Sequence, residues 1–138
     1  GGGWPVGAWR ERKKVADPMG PGSHGASLGG IRGVCAGGCA VVDAMDDAFM
    51  RNVNARAAQL REALASLPHV ASVSGMGLMV GIAFADDVKA ADVRAACERK
   101  GLLVLTAKTR LRLLPPLILS EADVAKALAI LDDVLSSM

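Results

Sequence analysis

Histidine is almost missing from this sequence, cysteine is sparse, and neither a long apolar run nor a one-sided charge is present. Each shortage removes a class of function. The only histidines are His24 and His69, so a metal held by Cys35 and Cys39, four residues apart on one helix face, would need ligands that are not evident. Helix-packing cysteines are the better reading, and no metal is expected. The three cysteines, Cys35, Cys39 and Cys97, are an odd number in a chain without a signal peptide. That fits reduced thiols in a cytoplasmic protein. No apolar stretch reaches the ~18 residues that signal a membrane span. Sixteen basic against fourteen acidic residues leave a net charge of +2, too little to point to nucleic acid or an anionic membrane as partner. The basic run from Arg10 to Lys14 is interrupted by Glu11 and reads as solvated helix surface. An initiator Met is also lacking: the chain opens on Gly1-Gly2-Gly3, inside what reads as a loop, as expected of a fragment.

What remains is globular. Of 138 residues, 51% are hydrophobic and 22% charged, with a mean hydropathy of +0.33, and a domain of this size buries roughly 68–70% of its unfolded surface. Residues 1–33 are rich in Gly and Pro, with a short strand expected from Trp4 to Trp9 and a short helix from Glu11 to Ala16. Apolar residues at Val42, Met45, Phe49, Val53, Leu60, Leu64 and Leu67 then predict one long helix, roughly Val34–Leu67, closed by Pro68. Gly37 and Gly38 near its start cost it about 1 kcal/mol each relative to Ala, so its first turns are expected to be either loose or tightly packed against something outside this sequence. Beyond Pro68 the period shortens. His69–Ser74 and Leu78–Phe84 read as strands around a Gly75-Met76-Gly77 turn. Asp86 or Asp87 caps a helix to Lys100, with Ala90, Val93, Ala96 and Cys97 on one face and Gly101 as the left-handed residue after it. Leu102–Leu105 and Leu111–Leu114 are further strands. Ser120 and Asp123 form a capping box for a last helix with Val124, Leu128, Leu131 and Leu135 inward. Strand, strand, helix, strand, strand, helix predicts a small α+β sandwich with helices on one face of a sheet.

Three motifs bear on chemistry. Gly75-Met76-Gly77 with Gly81 superficially matches a dinucleotide fingerprint, but a strand follows it where that motif needs a helix; a hairpin turn fits better. The loop Gly22–Gly30 offers backbone N–H groups and the Ser27 hydroxyl, the donors a phosphate takes, although such a turn is also often only a turn. Arg112 sits in Arg110-Leu111-Arg112-Leu113-Leu114-Pro115-Pro116-Leu117. Alternation puts Arg110 and Arg112 on one face, and a guanidinium in apolar sequence needs an anion. That anion is either a ligand carboxylate or one of the chain's own acids.

These segments together resemble the class III aminotransferases. Gly1-Gly2-Gly3-Trp4-Pro5-Val6-Gly7-Ala8 is similar to the triple-glycine segment that follows the cofactor lysine of that family. Gly22-Ser23-His24-Gly25-Ala26-Ser27-Leu28-Gly29-Gly30 resembles its Gly-[Ser/Thr]-His-Gly-Ser-Thr-Phe-Gly-Gly loop. Gly75-Met76-Gly77-Leu78-Met79-Val80-Gly81-Ile82, Gly101-Leu102-Leu103-Val104, Leu111–Leu117 and Ser120–Asp123 match later landmarks in order, so the resemblance covers essentially the whole chain. The Leu-Arg-Leu-Leu-Pro-Pro-Leu wording is closest to the acetylornithine and succinyldiaminopimelate branch.

The resemblance implies an α/β protein, the C-terminal part of a fold-type I pyridoxal-phosphate-dependent transferase. Residues 1–50 would be the tail of the large cofactor domain and the start of a connecting helix, and 51–138 the small α+β domain. It implies pyridoxal 5'-phosphate as cofactor, amino acid and 2-oxo acid substrates (N-acetylornithine or a similar amine, with 2-oxoglutarate), and a homodimer. Ser27 stands for a threonine that binds the cofactor phosphate of the neighbouring subunit, and Arg112 for an arginine that holds the substrate carboxylate. Ala26 stands at a substrate-contacting position that usually carries a serine. Ile31-Arg32 replaces Asn-Pro, and Leu28 an aromatic residue. No lysine matches the family's Schiff-base lysine, since Lys13 and Lys14 follow the triple glycine, so no catalytic residue is assigned and the chain alone is expected to be silent. A non-catalytic interaction module or a decayed remnant is the alternative.

Overall fold

The change of period after Pro68 divides the chain into a helical stretch and an antiparallel sheet with two further helices. The computed structural model describes residues 3–7, 20, 22, 25, 27, 29–85 and 87–138. Among these residues the elements are α1 (Arg32–Asp43), α2 (Asp47–Ala65), β1 (Val70–Met76), β2 (Met79–Phe84), α3 (Ala90–Arg99), β3 (Leu105–Ala107), β4 (Arg110–Leu113) and α4 (Glu121–Leu135). The chain forms two compact units, Gly1–Asp47 and Ala48–Met138.

In the first unit the single long helix of the sequence reading is corrected. The Ala44 N–H bonds to the Ala40 carbonyl, and the Met45 N–H reaches only as far back as Val42. The last turn tightens to the 3₁₀ pattern and stops. A second helix starts at Asp47, whose carboxylate suits the positive end of the helix dipole. Of the two alternatives for these turns Gly37 takes close packing, but against this chain's own Trp4: a Cβ there would fall 2.5 Å from Trp4 Cδ1. Trp4 lies in a bend whose carbonyl accepts the Val6 N–H at 2.8 Å, not in a strand. Pro5, Val6 and Gly7 are likewise not in a strand. Ala8 and Trp9 of that expected strand, the helix at Glu11–Ala16, and Ala26 and Leu28 lie outside the described residues.

In the second unit one sheet runs β1-β2-β4-β3, every neighbouring pair antiparallel. Val80, Ile82, Leu111 and Leu113 point from its two central strands into one cluster. Val53, Leu60 and Leu64 of α2, Val93 and Cys97 of α3, and Val124, Leu131 and Leu135 of α4 join the same cluster. Helices therefore cover one face of the sheet, and the other face is free to carry polar groups. The first hairpin turns at Gly77-Leu78, two residues later than Gly75, with Met76 paired to Met79. The cap expected from Asp86 or Asp87 is not the one used. Lys89 is the N-cap of α3 and makes no side-chain bond there, because the Val88 N–H closes a turn on Ala85 just before the helix; Asp86 is outside the described residues. At the other end Gly101 has φ +83°. Its N–H bonds to the Glu98 carbonyl and that of Leu102 to Cys97, the two bonds of a Schellman motif. Among the described residues no helix is long and apolar enough to cross a membrane.

Candidate functional site

Ser27 belongs to the first unit. It is exposed, in a bend followed by the Gly29-Gly30 turn, and the Cys35 thiol donates to the Gly29 carbonyl at 3.5 Å. The helix that follows has Ile31 as an extended N-cap without a side-chain acceptor, and no acid in its first turn. The first backbone N–H groups of α1 are thus left without a side-chain cap, a setting that suits an anion. Arg32 takes the first helical position, the one that favours Pro.

Arg112 belongs to the second unit, on the sheet face away from the helices. Leu111 and Leu113 are buried and Arg110 is exposed, while Arg112 is half-buried, as the alternation predicted. Its neighbours across the ladder are Gly81 on β2 and Leu105 on β3. Its Nε is buried without a hydrogen-bond partner. Among the described residues the ion pairs are Arg56–Glu121, Arg94–Glu98 and Lys100–Asp133, so pairing of Arg112 with one of the chain's own acids does not occur there. Arg110 crosses β2 to donate from Nη1 to Ser74 Oγ at 2.8 Å, and the Ser74 hydroxyl donates to the Gly81 carbonyl at 3.4 Å. Sequence reasoning placed the two arginines on one face but missed Ser74, because register between β1 and β4 is not written in either strand.

Other groups are structural. Cys35 and Cys39 are exposed and Cys97 is buried; burial pushes the Cys97 thiol pKa up, with the Glu98 charge adding to it. The Ser120 hydroxyl, then its backbone N–H, hold the Asp123 carboxyl below the usual carboxylate value. An open apolar groove of about 520 Å³ runs between Leu60, Leu102, Leu113, Pro115 and Val124, beside exposed Leu103 and Ile118. Among the described residues no group of three or more His, Cys, Asp or Glu converges on a metal position.

The family described as aminotransferase class-III matches residues 1–135. The acetylornithine aminotransferase of Haemophilus ducreyi is 42% identical over 137 residues, covering 99% of this chain and 35% of that protein. Solved structures agree in fold. An ornithine aminotransferase from Toxoplasma gondii superposes with a TM-score of 0.73 at 22% identity, over 90% of this chain and 31% of that one. The acetylornithine aminotransferase of Elizabethkingia anophelis gives 0.72 at 24% identity, over 90% and 35%. The chain therefore spans about a third of the length of the relatives it matches. With residues 1–135 matched by the family and 99% of the chain covered at 42% identity by one of its members, the chain belongs to the class-III aminotransferases.

Proposed function

We propose that this chain supplies the substrate-carboxylate contact and a cofactor-phosphate contact of an acetylornithine-type aminotransferase, which moves an amino group between N-acetylornithine and 2-oxoglutarate. Residues 1–50 would belong to the tail of the large cofactor domain and 51–138 to the small domain of a cytoplasmic homodimer, with neither nucleic acid nor membrane as partner. The observation that carries the reading is Arg112, half-buried with its Nε unpaired, on a strand that falls within the residues 1–135 spanned by the family match. A carboxylate fits the planar donor fork of such a group.

The cofactor of the full-length family is pyridoxal phosphate, and the residues present fit its phosphate. Ser27 offers an exposed hydroxyl, and the uncapped start of α1 offers backbone N–H groups with no acid nearby in its first turn. When bound, the cofactor supplies the electron sink for amino transfer. Ser27 would hold that phosphate by donating its O–H to one of the oxygens, in the site of the neighbouring subunit. Arg112 grips the substrate carboxylate, which holds the reacting carbon in place and lets amino acid and 2-oxo acid bind alternately in one orientation. Ala26 at the adjacent substrate position has no hydroxyl to contribute, so recognition there rests on shape.

A chimera tests the assignment: this sequence replaces the matching third of the Haemophilus ducreyi enzyme. The chimera is expected to transaminate N-acetylornithine with 2-oxoglutarate. In it, Arg112→Ala is expected to lower kcat/KM about 100-fold, from the loss of a bidentate charged contact. Ser27→Ala is expected to raise the Kd for pyridoxal phosphate about tenfold, the worth of one charge-assisted hydrogen bond. A fall of less than threefold for Arg112→Ala overturns the role of that residue.

A further inference from the structure

We propose that Cys35 positions Ser27: its thiol ties the glycine loop to the first turn of α1 and so holds the Ser27 hydroxyl where a phosphate takes it. The inference deepens the proposed function and rests on its reading of Ser27 as a phosphate contact.

A helix is usually tied to the segment before it by its N-cap side chain, and α1 lacks that tie. Ile31 is apolar and extended (φ −67°, ψ 126°), and its side chain bonds nothing. Gly29 and Gly30 form the turn just ahead of it, and two glycines in succession leave that turn loose unless a contact from outside fixes the backbone. Cys35 supplies such a contact. Its Sγ donates to the Gly29 carbonyl at 3.5 Å, while its own N–H closes the first helical turn on the Ile31 carbonyl at 3.0 Å. The direction follows from helix geometry. Side chains tilt toward the N-terminus, so a residue in the first turn covers the chain that enters the helix. Cys39 stands one turn on, about 6 Å farther along the axis.

The tether has a firm end. Val34, beside Cys35, is 3% exposed, and Gly37 lies against the Trp4 ring, so α1 is fixed in its unit on both sides of residue 35. The lever to Ser27 is short: two residues, at most about 7 Å of chain, join it to Gly29. Holding the Gly29 carbonyl therefore limits where the Ser27 hydroxyl can go. A hydroxyl kept near its bonded position loses less freedom when a phosphate arrives, and that difference appears as affinity. Cys35 acts through Ser27 and is a positioning residue.

The test uses the chimera described above, read by its affinity for pyridoxal phosphate and by the melting temperature of the cofactor-free protein. Cys35→Ala is expected to raise the Kd for pyridoxal phosphate about threefold, the worth of one weak neutral hydrogen bond. It is expected not to lower the melting temperature, since Ala is the better helix former. Cys39→Ala, the same change one turn on, is expected to leave the Kd unchanged. In a Ser27→Ala background Cys35→Ala is expected to add nothing, because it acts only through that hydroxyl. In the 138-residue chain, NMR is expected to show the Ser27, Gly29 and Gly30 amide signals moved by Cys35→Ala and left in place by Cys39→Ala. The same loss of affinity with and without the Ser27 hydroxyl, or a fall in melting temperature alongside it, gives Cys35 a structural role alone and overturns the inference. An unchanged Kd for Cys35→Ala, with Ser27→Ala still weakening the cofactor, also overturns it and leaves the phosphate reading of Ser27 standing. No weakening by Ser27→Ala removes both readings.

Discussion

Gly75 holds a backbone position that a side chain cannot share. Its φ is +128°, and a Cβ there would lie 2.0 Å from the Met79 carbonyl oxygen, a backbone atom that can move only with the hairpin. Gly75→Ala is therefore expected to cost about 1–3 kcal/mol, read from the urea midpoint. Gly37 is the instructive contrast. Its clash is with the Trp4 side chain, which is 53% exposed and able to swing aside. Gly37→Ala also recovers helix propensity of about 1 kcal/mol, so its net effect is expected to fall within about 0.5 kcal/mol of zero. Cys97 gives a third residue-level test. Its pKa is raised above the ordinary 9.0 by burial, so the neutral thiol is the native form. A raised folded value means the associated stability is intact below pH 9 and is lost as pH rises through the folded pKa. In native protein a thiol reagent is expected to modify Cys35 and Cys39 and to reach Cys97 only on unfolding. The inward placement of Cys97 was legible from its spacing with Val93 and Ala90, and the shared face of Arg110 and Arg112 from strand alternation. Ser74 was not legible, because its partner lies two strands away and only the folded register brings them together.

At the scale of elements, caps were easier to read than breaks. The start of α4 is the capping box the sequence predicted: the Asp123 N–H bonds to Ser120 Oγ at 3.2 Å, and the Ser120 N–H returns to Asp123 Oδ2 at 3.1 Å. Ser120→Ala is expected to lower stability at pH 7 by about 1 kcal/mol. The Asp123 carboxyl is held low chiefly by the Ser120 side chain and then by its backbone. A depressed folded pKa contributes stability that is present above the unfolded value near 4 and disappears as pH falls through the folded one. The gap between wild type and Ser120→Ala in urea is therefore expected to narrow as pH is lowered from 7 to 3. A gap unchanged with pH would mean the carboxylate half of the box does nothing. The break at residues 44–46 was hidden because Val42, Met45 and Phe49 keep a helical period straight through it; the pair Asp46-Asp47 was the available sign of a new helix start. Strand β3 was placed at Leu102–Leu105 and lies at Leu105–Ala107. A run of leucines has no period to anchor it, and the turn that sets the register, Lys108-Thr109, has no glycine or asparagine, Lys108 itself taking φ +56°.

For the whole molecule, the class was legible and the strand order was not. Strand, strand, helix, strand, strand, helix predicts helices on one face of a sheet, and the core bears this out through Val80, Ile82, Leu111 and Leu113. Which strand of the second hairpin would sit inside was decided by burial. Leu111 and Leu113 of β4 are buried, whereas Leu105 of β3 stays 48% exposed, so the strand with the stronger apolar face takes the centre beside β2. The same distribution predicts how stability divides along the chain. Every member of the main core cluster lies between Val53 and Leu135, inside the unit Ala48–Met138, while Val34 is the one residue of α1 that is buried. A unit with its own core has what it needs to fold alone. A polypeptide of residues 48–138 is therefore expected to unfold in one cooperative urea transition, with a stability of roughly 5–10 kcal/mol. A peptide of residues 29–47 carries a 12-residue helix containing Gly33, Gly37 and Gly38, below the length at which isolated helices hold in water, and its circular dichroism is expected to be largely non-helical. A broad, non-cooperative melt of 48–138 would show that its helices and sheet need residues 1–47, and that the cluster around Leu64, Ile82 and Leu131 is too weak to organise the sheet by itself.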